Sequence, residues 1–355
     1  MTKTLKVGVI GVGGIANTHM PGWAASPHAE VVAGADVNLE ALEAWGAKWD
    51  VRRLTRLPQD LITAPDIDII DICTPSNYHA DLTIAALDAG KHVICEKPLA
   101  PTPVEIQRMI SARDRSGKLL MTAQHHRYQP AAIALKNEVD KGVLGDVYHA
   151  RAWYLRRNNV PTRPGFVLKA QSGGGACIDI GVHALDTAFW LMGSPEPITV
   201  SGISRSELSK QPGAWSPWGG GTPIPPEMDV EELAAGFVRF ANGATMMMEF
   251  SWALHGPHYE DMQVWLYGTK GGCHYPKAEI YTSGSNPRQQ YDINLKYLPT
   301  PLEAHALECI DFADAIVNGR PSPVPPEQSL AVIAILDAVY QSAESGREIR
   351  MDGKS

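Results

Sequence analysis

Lys97 stands between Glu96 and Pro98, at the end of the apolar run His92 to Cys95. Further along, the run Gly173-Gly174-Gly175-Ala176-Cys177-Ile178-Asp179-Ile180-Gly181-Val182-His183-Ala184-Leu185-Asp186 carries two carboxylates and an imidazole. If this run is helical, Asp179, His183 and Asp186 are spaced by four and three residues and share one face. Ile180, Leu185 and Phe189 then fall on other faces as core. A carboxylate beside a histidine fixes the imidazole tautomer and raises its basicity. Such a histidine can take the proton from a hydroxyl while hydride leaves the same carbon. A lysine nearby can stabilise the developing alkoxide or tune the histidine. Each residue alone also has a plainer reading, since most lysines are solvated charges and most helical histidines are structural. The elements that carry them decide between the two.

The first third of the chain alternates strand-like and helix-like segments, the pattern of a parallel sheet with helical crossovers. Leu5 to Ile10, Val31 to Ala35, Ile67 to Cys73, His92 to Cys95 and Leu119 to Ala123 read as strands. Helices are expected from Ala16 to Ala25, Leu39 to Lys48, His79 to Ala89 and Pro103 to Arg115. Together they make a doubly wound unit over residues 1–125. Where the first strand meets the first helix, Gly11-Val12-Gly13-Gly14-Ile15-Ala16 gives a G-x-G-x-x-A turn. Glycine there permits a tight turn and close backbone approach to a pyrophosphate, which the helix N-terminus then receives. Asp36, at the tip of the second strand, can accept hydrogen bonds from ribose hydroxyls and would repel a 2′-phosphate. Neither Val37 nor Asn38 binds such a phosphate, so NAD is favoured over NADP unless Arg52 or Arg53 folds back.

After a helix at Pro130 to Lys141 the pattern changes. Val147 to Arg156, Ile198 to Ser204, Leu233 to Phe240, Ala244 to Ser251 and Met262 to Tyr267 read as long strands, and Asn242-Gly243 is a hairpin signal. Helices are expected from Ala176 to Met192, Glu303 to Val317 and Gln328 to Ser342. Residues 126–355 are therefore read as an α+β domain with a mostly antiparallel or mixed sheet, and the whole chain as α/β. Residues 210–228, rich in Pro, Gly and Trp, read as a long surface loop.

The glycine turn, Thr74-Pro75-Ser76-Asn77-Tyr78-His79, Glu96-Lys97-Pro98 and the Gly-Gly-Gly-x-x-x-Asp-x-Gly-x-His-x-x-Asp run occur in that order. In this the chain resembles the Gfo/Idh/MocA family, the glucose–fructose oxidoreductase and inositol dehydrogenase-like enzymes, over essentially its whole length. The resemblance implies a Rossmann domain, a C-terminal domain with an open sheet, and a homodimer or homotetramer formed through that sheet. It implies that Lys97, Asp179 and His183 are the catalytic residues, with His183 as general base in oxidation and acid in reduction. It places Gly11, Gly13, Gly14, Ile15, Ala16, Asp36, Thr74, Pro75, Asn77, His79, Glu96, Lys97 and Arg127 along the cofactor. His126 departs from the commoner basic pair before Arg127, which blurs the substrate. The Lys97–Pro98 bond is a candidate for the cis form.

The activity so implied is hydride transfer between a secondary hydroxyl of a sugar, glycoside or cyclitol and the nicotinamide. Other readings are a redox-neutral glycosidase that uses NAD transiently, a non-catalytic nucleotide-binding sensor, and a reductase of dihydrodiols or of a non-sugar carbonyl. For the substrate, Lys97, His126, Trp153, Arg156, Arg157, Asp179 and His183 are the candidates, arginine as a bidentate donor and tryptophan as an apolar face. No metal is expected, and His255, His258 and Asp261 are not read as a metal cluster. A net charge of −8 over 355 residues argues against nucleic acid or an anionic membrane as partner. No stretch is long and apolar enough to span a bilayer. Five scattered cysteines and no signal-peptide pattern point to the cytoplasm.

Overall fold

The computed structural model describes residues 4–284 and 288–351. They divide into two compact units, residues 4–128 with 300–330, and residues 129–284 and 288–299 with 331–351. The boundary expected after residue 125 lies close to the first division. The return of residues 300–330 to the first unit was not expected from two consecutive segments.

In the first unit six parallel strands, β1 (Leu5–Ile10), β2 (Ala29–Ala35), β3 (Arg53–Thr55), β4 (Ile69–Ile72), β5 (His92–Glu96) and β6 (Leu120–Ala123), lie in the order β3-β2-β1-β4-β5-β6. β4 and β6 are buried at every position, as strands covered by helices on both faces must be. The order reverses between β1 and β4, and at such a switch point the loops beyond the strand C-termini part to form a ligand crevice. Helix Gly14–Ala25 follows β1, and helix Ala304–Val317 packs against it. Cys309, Phe312, Ala313 and Val324 from the returning segment join Val7, Val9, Met20 and Trp23 in one apolar core.

In the second unit β7 is Val147–Arg156 and β8 is Pro197–Arg205; β9 (Trp215–Ser216) and β10 (Thr222–Pro223) form a small hairpin inside the expected 210–228 loop. β11 (Leu233–Phe240), β12 (Thr245–Ser251), β13 (Glu260–Gly268), β14 (Gly271–Tyr275), β15 (Glu279–Ser283), β16 (Gln290–Asn294) and β17 (Ile349–Arg350) complete it. Nine strands form one sheet in the order β16-β15-β14-β13-β7-β12-β11-β8-β17. It is antiparallel except for the pair β7–β12. Strand alternation sorts its two faces. Ala150, Ala152, Tyr154, Met248, Phe250, Val264 and Leu266 are buried on one, under helix Gly181–Leu191. Arg151, Trp153, Met247 and Glu249 stand on the other.

Candidate active site

Gly11 has φ +86°, and a Cβ on it would stand 2.8 Å from the carbonyl carbon and oxygen of Cys73. Only glycine satisfies both conditions. Gly13 caps helix Gly14–Ala25 without a side-chain hydrogen bond, and a Cβ at Gly13 or Gly14 would meet nothing within 4 Å. The turn thus leaves an open cradle before a helix N-terminus whose first N–H groups have no intrahelical partners. Asp36 clips the turn in place: its Oδ2 accepts the N–H of Val12 at 2.9 Å and its Oδ1 that of Asn38 at 2.8 Å. Arg52 pairs with Asp50 and Arg53 with Asp66. Arg56, which sequence reading passed over, donates to the carbonyl of Val37 at 3.2 Å.

Beyond β4 and β6, the Thr74 hydroxyl and the Gln124 side-chain oxygen are buried without a hydrogen-bond partner among the described residues. Buried polar atoms in that condition are costly, and a polar ligand in the crevice would satisfy them. The loops around them are tied together. His79 is fully buried, with its ring nitrogens 2.8 Å from the Thr74 carbonyl and 2.9 Å from the Pro98 carbonyl; burial holds its pKa below the ordinary histidine value. Pro75 and Asn77 are exposed on the same loop, while Ile15 and Ala16 begin the helix. The Lys97–Pro98 bond is cis. Glu96 turns inward, its Oε2 accepting the N–H of Lys97 at 3.0 Å.

The turn His125–Tyr128 follows β6. Arg127 is 4% exposed and donates to Gln328. His125 stacks on His305 with centroids 3.8 Å apart and lies 4.4 Å from His126. Burial, then Lys97 and His305, push His126 down to about 4, and burial with its histidine neighbours lowers His125 further. These rings are neutral donors and acceptors at ordinary pH.

In the second unit the expected helix of 176–192 is two pieces, Ala176–Asp179 and Gly181–Leu191, joined at Ile180. Glu231 anchors the first. Its carboxylate accepts the N–H groups of Gly175 (3.0 Å) and Cys177 (2.8 Å) and the hydroxyl of Tyr340 (2.9 Å). A Cβ on Gly175 would lie 1.9 Å from the Glu231 carbonyl oxygen, which explains that glycine. Asp179 ends the piece, and its Oδ2 accepts the indole N–H of Trp252 at 3.1 Å. His183 lies one turn on, 7% exposed, and Asp186 is wholly buried inside the unit.

Tyr154 and Arg156 share the sheet face that carries Phe250, and Asp179 is among the charges raising the Arg156 pKa, after burial opposes it and Tyr154 and Glu260 act. The Arg156 guanidinium donates to Glu260 at 3.2 Å and to the Tyr154 hydroxyl at 3.3 Å. One expected substrate residue stands on the other face of the sheet. Trp153 points to the opposite face, donating to Asp261 at 2.8 Å under Arg151, because adjacent strand residues alternate. Arg157 is exposed, and its backbone N–H bonds to the Tyr259 carbonyl. Trp252, Glu231 and Tyr340 were missed, having no signal in local spacing.

The family model described as an oxidoreductase family with NAD-binding Rossmann fold matches residues 5–124, and the GFO/IDH/MocA C-terminal domain matches residues 133–274. The chain is 31% identical over 354 residues to the D-glucoside 3-dehydrogenase of Escherichia coli, covering 99% of this chain and 98% of that one. The chain belongs to the Gfo/Idh/MocA oxidoreductase family. It is also 30% identical to the levoglucosan dehydrogenase of Pseudarthrobacter phenanthrenivorans, covering 96% of each. A levoglucosan dehydrogenase solved with NADH and levoglucosan superposes with a TM-score of 0.84 at 27% identity, covering 98% of this chain and 99% of that chain. This family member is accordingly an oxidoreductase with an NAD-binding Rossmann domain. Among the described residues no helix is long and apolar enough to cross a membrane.

Proposed function

We propose that the chain oxidises a secondary hydroxyl of a glycoside, anhydrosugar or cyclitol. The observation that carries this reading is Asp179, fixed by Trp252 and near Arg156, one helical turn before the buried His183. NAD, when bound, supplies the hydride acceptor. Gly11, Gly13 and Gly14 with Ile15 and Ala16 would cradle its pyrophosphate, Asp36 its adenosine ribose, and the Thr74 and Gln124 oxygens its polar edges. His183 takes the hydroxyl proton at a ring nitrogen as the C–H bond breaks, and returns it in the reverse direction. Asp179 orients that ring, and Lys97 stabilises the oxygen as its negative charge grows. Arg156 offers a rigid fork of donors to neighbouring hydroxyls. The named activities of the two relatives at 30% identity or above support a sugar substrate.

The test is nicotinamide absorbance with NAD or NADP and a panel of glycosides, anhydrosugars, free aldoses and inositols. Reduction of NAD by one class is expected, and His183→Ala should cut turnover by at least about a hundredfold while leaving NAD affinity nearly unchanged. Sugar release without net NADH would overturn the dehydrogenase in favour of redox-neutral glycoside cleavage. Cofactor binding with neither outcome would overturn the sugar dehydrogenase in favour of a sensor or a reductase of a non-sugar carbonyl.

The open face of the nine-stranded sheet supports assembly into a homodimer or homotetramer. Ile203 and Met247 are 48% and 54% exposed there, beside Phe237 and Arg205. Sedimentation of the purified chain tests this, and a monomer at micromolar concentration would refute it. All five cysteines are free and buried, which fits a reducing cytoplasm.

A further inference from the structure

Helix Gly14–Ala25 turns one imidazole, His19, into the interior, where it is 0% exposed. Carboxylates meet both sides of the ring. Nδ1 lies 3.0 Å from Oδ2 of Asp71 on β4, and Nε2 lies 3.0 Å from Oε1 of Glu96 at the end of β5. Oε1 of Glu308, from the returning helix Ala304–Val317, is 3.6 Å from the same Nε2. Trp23, one turn beyond His19, donates its indole N–H to Asp71 Oδ2 at 2.8 Å. The second oxygen of Glu96 accepts the backbone N–H of Lys97. Asp71, His19, Glu96 and the Lys97 peptide are thus one continuous hydrogen-bonded chain.

We propose that His19 is a positioning residue for Lys97, acting through Glu96. This rests on the catalytic part assigned to Lys97 above. A neutral imidazole has one N–H, so two ionised carboxylates at its two nitrogens would require the imidazolium. The groups that face it are Asp71 and Cys73 beside β4, Glu96 and Lys97 at β5, and His305, Glu308 and Cys309 on the returning helix. Burial opposes the charge, but the groups around the ring, Asp71 hydrogen-bonded at Nδ1 among them, hold His19 well above its usual pKa. Burial would raise Glu96, yet the hydrogen bond and charge of His19, with Lys97 and His305, keep its carboxyl below the ordinary value. Burial leaves Glu308 well above the carboxylate range, against the pull of His19. The ring of His19 is therefore set between the carboxyl groups of Asp71 and Glu96, with the Glu308 carboxyl beside them.

A buried ion cluster is a weak way to gain stability, because desolvation consumes most of the attraction. Apolar side chains would fill the space as well. What an apolar core could not do is hold the Glu96 carboxylate against the Lys97 peptide in one rotamer. With His19 removed, Lys97 leads the cations still acting on Glu96, and the side chain expected to serve the substrate is drawn toward its own neighbour.

The test compares His19→Gln with the unmodified chain by reductive methylation, reading the rate at each lysine by mass spectrometry. Lys97 should change its rate at least about threefold in the variant, with Lys48, Lys118 and Lys136 unchanged. In sugar oxidation kcat should fall about tenfold with KM and NAD affinity nearly constant, the mark of an interaction made in the transition state. The acid limb of the kcat–pH profile should move up, because Glu96 without its cation protonates at higher pH. Unchanged Lys97 reactivity together with an unchanged profile overturns the proposal. Should His19→Gln not fold, nitrogen-15 histidine spectra of the intact chain decide: His19 must carry protons on both nitrogens at pH 8, and a neutral ring there overturns it. The methylation readout needs no substrate, so a chain inert toward sugars would sink the dehydrogenase reading and leave this one standing.

Discussion

The indole N–H of Trp252 donates to Oδ2 of Asp179 at 3.1 Å, joining the residue after β12 to the end of a short helix seventy-three positions earlier. Trp252 is itself pinned, its N–H bonded to the Glu232 carbonyl and its side chain fully buried. The Asp179 carboxylate, proposed to orient His183, is therefore held by a rigid donor. Trp252→Phe keeps most of the ring and removes the donor. A hydrogen bond to a charged group contributes about 1.5–3 kcal/mol, so kcat should drop roughly tenfold or more while NAD affinity stays constant. Steady-state kinetics beside a NAD titration checks this, and an unchanged kcat would remove Trp252 from the role.

Two glycines separate binding from architecture. Gly13 faces open space, so Gly13→Ala should leave stability within about 0.5 kcal/mol while lowering NAD affinity about tenfold or more. Gly175→Ala pushes a methyl into the Glu231 carbonyl, and overpacking of that kind costs about 1–3 kcal/mol or more. Thermal unfolding and cofactor titration on both variants should give opposite patterns. A stable Gly175→Ala chain would mean that the 173–177 turn is more pliant than its contacts imply.

Asp36 faces two demands, since the carboxylate expected to meet the ribose also holds the N–H of Val12. Asp36→Ser removes the repulsion toward a 2′-phosphate and leaves Arg56 beside Val37 as a cation at the strand tip. The ratio of kcat/KM for NAD over NADP should fall at least about tenfold, with a stability loss near 1 kcal/mol from the weakened clip. A constant ratio would take the discrimination away from Asp36.

Acid should loosen the first unit. Burial, then Lys118, push His92 down to about 4, and its Nδ1 accepts the Leu119 N–H at 3.1 Å, which requires the neutral ring. His126 is depressed to about 4 as well. Both titrate near 6.5 when unfolded, so their contribution is intact above that pH and is lost as pH falls toward 4. The melting temperature should decline across that window, and His92→Asn, which can still accept from Leu119, should flatten the decline. Identical curves for the two chains would acquit His92.

The glycine turn, the strand-end Asp36 and the Lys97 segment were legible because each depends on a few neighbours in one loop. Strands β1 and β2 were legible for a related reason, since buried parallel strands are continuous apolar runs, and the hairpin signal at Asn242-Gly243 marks the antiparallel pair β11 and β12. The two faces of β7 were legible in principle, since alternation alone separates Trp153 from Arg156, yet aromatic character drew Trp153 into the expected pocket. His19, Trp252, Glu231 and Tyr340 were not legible. Their partners lie far away in sequence, and only the packed sheet reveals which carboxylate meets which donor. The short strands β14 to β16 escaped because glycine and charged residues break their pattern.

The first unit has a consequence for how the chain is made. Its core includes Cys309, Phe312, Ala313 and Val324, and Glu308 closes the space beside His19. As the polypeptide leaves the ribosome, residues 1–128 emerge with one wall of that core still unsynthesised. The second unit's strands through β16 are all translated before the wall arrives. The nucleotide-binding half is begun first and finished late, so a nascent chain truncated before residue 300 should expose the apolar flank of helix Gly14–Ala25 to chaperones, and NAD can reward folding only near the end of translation.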